Sequence, residues 1–161
     1  MKKQTILTEF TSYDLLEELP GSDRELLLLA KKSLENSYSP YSNFKVGAAV
    51  LLRNGQLLGG SNYENASYPL CICAEQTVLT TAANLYPGVA PLALAIAIRN
   101  PKQVIDRPGL PCGGCRQVIC ETEMKNKQPI RVILQGETGP VFIFENGQDL
   151  LPLSFDKSYL E

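Results

Sequence analysis

The 161-residue sequence contains no histidine. A Ser-His-Asp triad, a Cys-His pair and any metal site with histidine ligands are therefore excluded. If the protein is an enzyme that moves protons, the proton must be carried by a carboxylate, which is the usual alternative to an imidazole.

Long apolar runs and an excess of basic charge are also missing. The longest apolar run covers residues 91–98, far short of the roughly 20 residues that span a bilayer, and residues 1–9 lack the apolar stretch of a secretory signal. A net charge of −2 and a pI near 5.3 provide no basic surface for a phosphate backbone. We therefore expect a soluble, cytoplasmic protein without nucleic-acid or membrane partners, acting on a small neutral or weakly polar substrate.

The chain length fits one domain, residues 1–161, because domains usually contain roughly 100–200 residues. Residues 1–21 are interpreted as an N-terminal arm with at most a short strand, ending at the breaker Pro20-Gly21. Ser22 and Glu25 follow with the spacing of a capping box, in which each side chain satisfies an unpaired backbone N–H of the first helical turn. This pair predicts the start of a helix that continues to about residue 36.

Strand and helix patterns alternate along the rest of the chain. Asn54-Gly55 is a strong signal for a two-residue hairpin turn, and Pro87-Gly88 ends a run of helix formers. This order predicts an α/β domain, a three-layer α-β-α sandwich around a mixed sheet of about five strands. The predicted strands are 44–52, 56–62, 92–98, 130–135 and 141–144, and the further helices are 74–86 and 113–123.

Two cysteine motifs carry the chemistry, Cys73-Ala74-Glu75 and Pro111-Cys112-Gly113-Gly114-Cys115. Each is predicted where a loop becomes a helix, and there the unpaired N–H groups and the helix dipole lower a thiol pKa from about 8.5. Three thiolates, from Cys73, Cys112 and Cys115, occupy three corners of a tetrahedral zinc site and leave the fourth for water. Glu75 lies beside that corner, where its carboxylate can transfer protons without being a ligand.

Other interpretations of the cysteines remain open. Cys112 and Cys115 alone could form a redox pair, and a fourth thiolate from Cys71 would close the zinc site into a structural one. Otherwise Cys71 and Cys120 are expected to be small buried apolar residues. A non-catalytic zinc-stabilised binding module is the alternative from a different functional class.

Four segments together resemble the cytidine deaminase family, over about residues 26–160. The resemblance implies one zinc ion per chain and hydrolytic deamination of cytidine, and also of deoxycytidine, in pyrimidine salvage. A deaminase for another aminated heterocycle is the alternative within the superfamily. The matching segments are Ser39–Ala49 (SPYSNFKVGAA), Asn62–Ala66 (NYENA), Cys73–Glu75 (CAE) and Pro111–Val118 (PCGGCRQV).

The same resemblance implies the substrate contacts and the assembly. Asn62 and Glu64 would hold the ribose hydroxyls, and Phe44 would pack against the nucleoside. The backbone at Ala66 and Ala74 would contact the base. The family is typically a homotetramer with shared active sites, so we expect a homo-oligomer, either a tetramer or a dimer. Phe155 is expected to reach a neighbouring chain's substrate, and Tyr41 to lie near an interface. Without the resemblance, Phe44 and Tyr41 would be taken for core residues, and Asn62 and Glu64 for loop-capping residues.

The chain departs from the family at one position of the site. Members with three cysteine ligands usually have arginine after the glutamate, whereas this sequence has Gln76. Zinc with three thiolates carries a net charge of −1, which an arginine would offset and a glutamine does not. We therefore expect a zinc-bound water to be less acidic here than it would be beside an arginine.

Overall fold

A mixed sheet of six strands forms the centre of the computed structural model, which describes residues 1–160. The spatial order is β1-β6-β5-β4-β2-β3, and β4 and β5 are parallel while the other neighbours are antiparallel. The strands are β1 Thr11–Tyr13, β2 Lys45–Leu52, β3 Leu57–Ser61, β4 Pro91–Arg99, β5 Arg131–Gln135 and β6 Val141–Phe144. The helices are α1 Gly21–Ser33, α2 Ala74–Leu85 and α3 Gly113–Asn126.

Helices cover both faces of the sheet, because successive strand residues point to opposite sides. Ala48, Val50 and Leu52 of β2 belong to a core cluster with α2 and α3, whereas Ala49 belongs to a second cluster with α1. The three-layer α/β prediction is confirmed, with six strands instead of about five. Among the described residues, no helix has both the length and the apolar character needed to cross a bilayer.

The additional strand is β1, in the N-terminal arm. It pairs with β6 in the register Thr11 to Ile143 and Tyr13 to Val141. The ring of Phe10 then packs on two rings of the same strand, with centroid distances of 4.5 Å to Phe142 and 5.4 Å to Phe144. The arm therefore covers the hydrogen-bonding edge of β6.

The capping-box prediction at Ser22 is wrong. Helix α1 begins at Gly21, two residues before the start that a Ser22 N-cap would give, so its N-cap is Pro20 and no side chain caps it. Tertiary contacts decide this start, because Leu19 is buried and Asp23 is drawn toward Arg131, whose Nη2 lies 3.2 Å from Oδ2. Burial of Asp23 raises the pKa of its carboxyl, an effect that the guanidinium opposes.

Candidate active site

The three cysteines of the two motifs meet at the start of two helices. Cys73 is the N-cap of α2, and Cys112 is the N-cap of α3, where its sulfur accepts a hydrogen bond from the N–H of Cys115 at 3.4 Å. The sulfurs of Cys112 and Cys115 are 3.5 Å apart, and all three sulfurs lie within 4.8 Å of one another. This spacing fits one ion of zinc size with thiolate ligands.

The thiols of the cluster differ in acidity. The pKa of Cys73 is lowered to about 7 because the thiol of Cys115 donates a hydrogen bond to its sulfur. The pKa of Cys115 is raised, because its thiol donates that bond and because it is buried. Cys73 is thus the first of these two sulfurs to become a thiolate and an anionic metal ligand.

Glu75 is in the first turn of α2, two residues after Cys73, and its side chain is only 4% exposed. Burial raises the pKa of its carboxyl above the ordinary value. Glu75, Cys73 and Cys112 all line one cavity of about 970 Å³. A carboxyl group that binds and releases a proton is therefore placed beside the sulfur cluster.

Gln76 also contacts the cluster. Its Nε2 donates a weak hydrogen bond to the sulfur of Cys115, with a distance of 3.9 Å between the two atoms. A neutral amide therefore stands where the family usually has an arginine. The expected effect on the acidity of a bound water stays a prediction, which the pH–rate profile of Gln76→Arg would test.

Two side chains, those of Arg116 and Glu123, hold helix α3 in place, and neither role was predicted from the sequence. Arg116 donates from Nε to the carbonyl of Pro111 at 2.9 Å and from Nη1 to the carbonyl of Leu150 at 2.8 Å. Glu123, which is buried, accepts three backbone N–H groups; they belong to Ile130, Gly147 and Gln148, at 2.6, 2.7 and 3.0 Å. The four-residue spacing of Cys115, Ile119 and Glu123 is the signal that could have identified this buried glutamate.

Replacing Glu123 by Ala should lower the free energy of unfolding by about 2 kcal/mol or more, since the two buried N–H groups of Ile130 and Gly147 would lose their acceptor at roughly 1–3 kcal/mol each. Urea denaturation measures the change. Glu121→Ala is the matched control, because Glu121 is exposed on the same helix and should change stability by less than about 0.5 kcal/mol. Equal effects of the two substitutions would contradict the anchoring role.

Three of the predicted substrate residues, Phe44, Asn62 and Glu64, line the same cavity. Asn62 is already hydrogen-bonded within the chain: its Oδ1 accepts from Ser37 Oγ at 2.6 Å and from the N–H of Val46 at 2.9 Å, and its Nδ2 donates to the carbonyl of Phe44 at 3.0 Å. Asn62 therefore holds the start of β2 in position. Its contact with ribose stays a prediction.

Glu64 connects two segments of the cavity rim. Its Oε2 accepts from the N–H of Tyr41 at 2.8 Å and from the N–H of Ser42 at 3.2 Å, and its Oε1 accepts from the Ser42 hydroxyl. The Ser42 hydroxyl is the main cause of a lowered pKa for the Glu64 carboxyl. Glu64 thus stays ionised and fixes the turn that precedes Phe44.

The other predicted residues lie outside the lining of this cavity, as far as the described residues define it. Ala74 is buried in the core, Ala66 is exposed on its loop, and Phe155 is 56% exposed near the C-terminus. Cys115 lies behind Cys112, fully buried. The structure therefore brings six of the predicted residues together around one cavity: Phe44, Asn62, Glu64, Cys73, Glu75 and Cys112. Phe155 does not line this cavity.

The position of Cys71 contradicts the prediction that it is buried and argues against a closed zinc site with four sulfurs. It is exposed instead of buried, whereas Cys120 is buried as expected. Its sulfur accepts from the N–H of Asn65 at 3.3 Å, and among the described residues it lies outside the metal-ligand group. The closed four-sulfur site is therefore not the arrangement seen. Tyr41 is also exposed, so the interpretation of Tyr41 as a core residue is wrong.

Comparison with known proteins gives consistent results. Residues 20–128 match the family model described as "Cytidine and deoxycytidylate deaminase zinc-binding region". The chain is 39% identical over 134 residues to a cytidine deaminase of Halalkalibacterium halodurans, a match that covers 83% of this chain and 94% of the relative. A cytidine deaminase of Mycobacterium tuberculosis is 38% identical over 117 residues, covering 69% and 81% respectively.

A solved structure agrees in fold as well as in sequence. The crystal structure of cytidine deaminase from Burkholderia pseudomallei superposes with a TM-score of 0.71 at 41% identity. The match covers 81% of this chain and 97% of that one.

Proposed function

Because this chain belongs to the cytidine and deoxycytidylate deaminase family, we propose that it hydrolyses cytidine to uridine and ammonia, with Cys73, Cys112 and Cys115 as zinc ligands and Glu75 as the catalytic acid and base. One observation carries the assignment of the residues. The buried carboxyl group of Glu75 lines the same cavity as Cys73 and Cys112, and the sulfurs of these two cysteines and of Cys115 lie within 4.8 Å of one another.

The sulfur cluster fits the metal that the family requires. Three thiolate donors near two helix N-termini match a zinc site with three protein ligands and one open position. When bound there, zinc would supply Lewis acidity that makes water a usable nucleophile near neutral pH.

Glu75 would move the protons of the reaction. Its carboxylate accepts a proton from the attacking water and delivers it to N3 of cytosine as the water oxygen bonds to C4. It then takes the remaining proton of that oxygen and delivers it to the exocyclic amino group, so that the C4–N bond breaks and ammonia leaves. A carboxyl pKa raised by burial suits this role, because the group must both bind and release a proton.

The charge of the cavity favours a free nucleoside over a nucleotide. Its lining includes the carboxyl groups of Glu64, Glu75 and Asp106, and Arg107 is the single basic residue of that lining. A phosphate dianion would therefore meet net negative charge. Phe44 and Asn62 would contact the sugar and the ring, and the backbone of Ala66 and Ala74 the base. Deoxycytidine is also expected as a substrate, since these contacts do not require a 2′-hydroxyl.

An absorbance assay of purified protein tests the proposal, with cytidine, deoxycytidine, cytosine and cytidine 5′-monophosphate as substrates and ammonia release as a second readout. We expect turnover of both nucleosides and little turnover of the nucleotide. Zinc bound without turnover of any of these would instead favour a binding module. Turnover of cytidine 5′-monophosphate as fast as cytidine would contradict the charge argument.

The exposed apolar surface supports assembly into a homotetramer with shared active sites. Phe155 is exposed in the C-terminal segment, where Gln117 Nε2 donates to its carbonyl at 2.7 Å, and its ring stacks on Tyr159. Exposed aromatic side chains of this kind are enriched in protein–protein interfaces. Further large exposed side chains near the cavity rim are Tyr38, Tyr41, Tyr63, Tyr68, Leu70 and Ile72.

Shared sites predict complementation between two impaired chains. Glu75→Gln alone should lose about 10³-fold in kcat, and Phe155→Ala should be strongly impaired. Coexpressed together, they should form mixed oligomers in which some sites combine Glu75 of one chain with Phe155 of another. Activity of the mixture should therefore exceed the sum of the separate variants. Activity equal to that sum, or a monomer by light scattering, would overturn the shared-site proposal.

A further inference from the structure

One wall of the cavity is formed by residues 103–110, between β4 and α3. All eight of these residues line the cavity. The segment contains neither helix nor strand, so no regular backbone ladder holds it in place. Val104 and Leu110 are 66% and 55% exposed, and Gln103 and Arg107 are exposed as well. Something outside the segment must fix its position if it is to form a defined binding wall.

The turn between β5 and β6, residues 136–140, provides that support. The N–H groups of Glu137 and Thr138 both donate to the carbonyl of Ile105, at 2.8 and 3.2 Å. The turn is connected to α1 in its own right, because Lys31 Nζ donates to the carbonyl of Glu137 at 3.3 Å. The wall is therefore held through the turn by the helical layer on one face of the sheet.

Two glycines allow the turn to approach this closely. A Cβ atom on Gly136 would lie 2.5 Å from the carbonyl oxygen of Arg107. On Gly139, a Cβ atom would overlap the carbonyl oxygen of Asp106 and lie 2.7 Å from its carbonyl carbon. Cβ atoms are essentially never this close to backbone atoms, so either substitution must displace residues 105–107.

We propose that Gly136 and Gly139 are positioning residues for substrate binding, because they let the β5–β6 turn dock on residues 105–107 and set the wall of the cavity. The proposal rests on the proposed deaminase function for its kinetic part only. Displacing the wall should weaken nucleoside binding, whereas Glu75 and the sulfur cluster, on α2 and α3, should keep their arrangement.

Gly139→Ala is the main test, and Gly88→Ala is its matched control. The two glycines have nearly the same backbone conformation, with φ of +81° and +80°, but no atom lies within 4 Å of a Cβ on Gly88. Both substitutions therefore introduce the same backbone strain, and only Gly139→Ala moves the wall. We expect KM for cytidine to rise about tenfold or more for Gly139→Ala relative to Gly88→Ala, with kcat within about threefold and zinc content unchanged. Equal KM values for the two variants would overturn the proposal.

A milder pair of variants covers the case in which Gly139→Ala does not fold. Lys31→Met keeps the apolar stem and removes the ammonium that holds Glu137, whereas Lys32→Met removes an exposed ammonium from the next position. We expect a two- to fivefold rise of KM for the first variant only, a small fraction of what full misplacement costs. The same KM for both would count against the proposal.

Amide hydrogen exchange separates this inference from the proposed function. Peptides covering residues 103–110 should exchange faster in Gly139→Ala than in Gly88→Ala, whether or not the parent turns over cytidine. If the parent shows no turnover and this difference is present, the proposed function fails and the positioning role stands. If turnover is normal and the two variants exchange alike, the positioning role fails alone.

Discussion

Glu75→Gln is expected to lower kcat for cytidine by about 10³-fold, within the 10²- to 10⁴-fold range of general acid–base catalysis. Glutamine has nearly the same shape as glutamate but accepts no proton from water and delivers none to the ring. Because the side chain is buried, bulk water has little access to replace it. Steady-state kinetics of the variant measure the loss, and metal analysis should still find one zinc per chain.

Glu121→Gln is the control for this experiment, since it changes the same residue type at an exposed position of α3. Its kcat should match that of the parent. Two results would contradict the role of Glu75: a kcat close to the parent value, or loss of zinc together with loss of activity. The second result would make Glu75 a ligand or a structural support of the cluster.

Cys115→Ser is expected to remove the metal and, with it, all measurable turnover. Cys115 is fully buried at the first turn of α3, and a serine hydroxyl is not among the ligands that zinc takes from proteins. The variant should also be less stable, because an ion shared by α2 and α3 binds only the folded chain. At a free zinc concentration about 1,000 times the Kd, binding would add about 4 kcal/mol to the free energy of unfolding.

Metal analysis and thermal unfolding, each with and without a chelator, measure both effects. The chelator should lower the Tm of the parent and leave the Tm of Cys115→Ser unchanged. Cys120→Ser is the matched control, since Cys120 is equally buried on the same helix but outside the metal-ligand group of the described residues. It should keep one zinc. A Cys115→Ser protein that also keeps one zinc would refute the ligand assignment.

Local sequence signals predicted most of the secondary structure. Asn54-Gly55 predicted the place of the hairpin but not the form of its turn. The N–H of Gly55 bonds to the carbonyl of Leu52, so Arg53 and Asn54 are the central residues of the turn and Gly55 follows them with a φ of +83°. The two cysteine motifs predicted helix starts at 74 and 113, and α2 and α3 begin at these residues. Such signals are reliable because the interactions that cause them involve only a few neighbouring residues.

Features that depend on distant contacts were missed or wrong. A short strand in the N-terminal arm was one of the predictions, but its pairing was not. Thr11 of β1 pairs with Ile143, more than 130 residues away, and no local pattern specifies such a partner. The capping box at Ser22 failed because burial of Leu19 and the ion pair of Asp23 with Arg131 set the start of α1. Tertiary packing overrides local preference in both cases.

The site also has residues that local motifs predict and residues whose position depends on distant contacts. Cys73, Glu75 and Cys112 were predicted from motifs, and the structure places them together at the cavity. The position of the wall at residues 103–110 could not be predicted from the sequence, because it depends on backbone contacts with Gly136 and Gly139. Close approach of two loops leaves no residue pattern within either loop.

The edge strand Thr11–Tyr13 affects how the protein behaves outside the reaction. Residues 141–144, Val-Phe-Ile-Phe, form an apolar strand whose open side is occupied by this short arm, which lies before the region that the family model matches. Proteolytic trimming of the first fifteen residues would expose that side as a template for cross-chain β-pairing. Shelf life and resistance to aggregation should therefore depend on a segment that has no part in the chemistry.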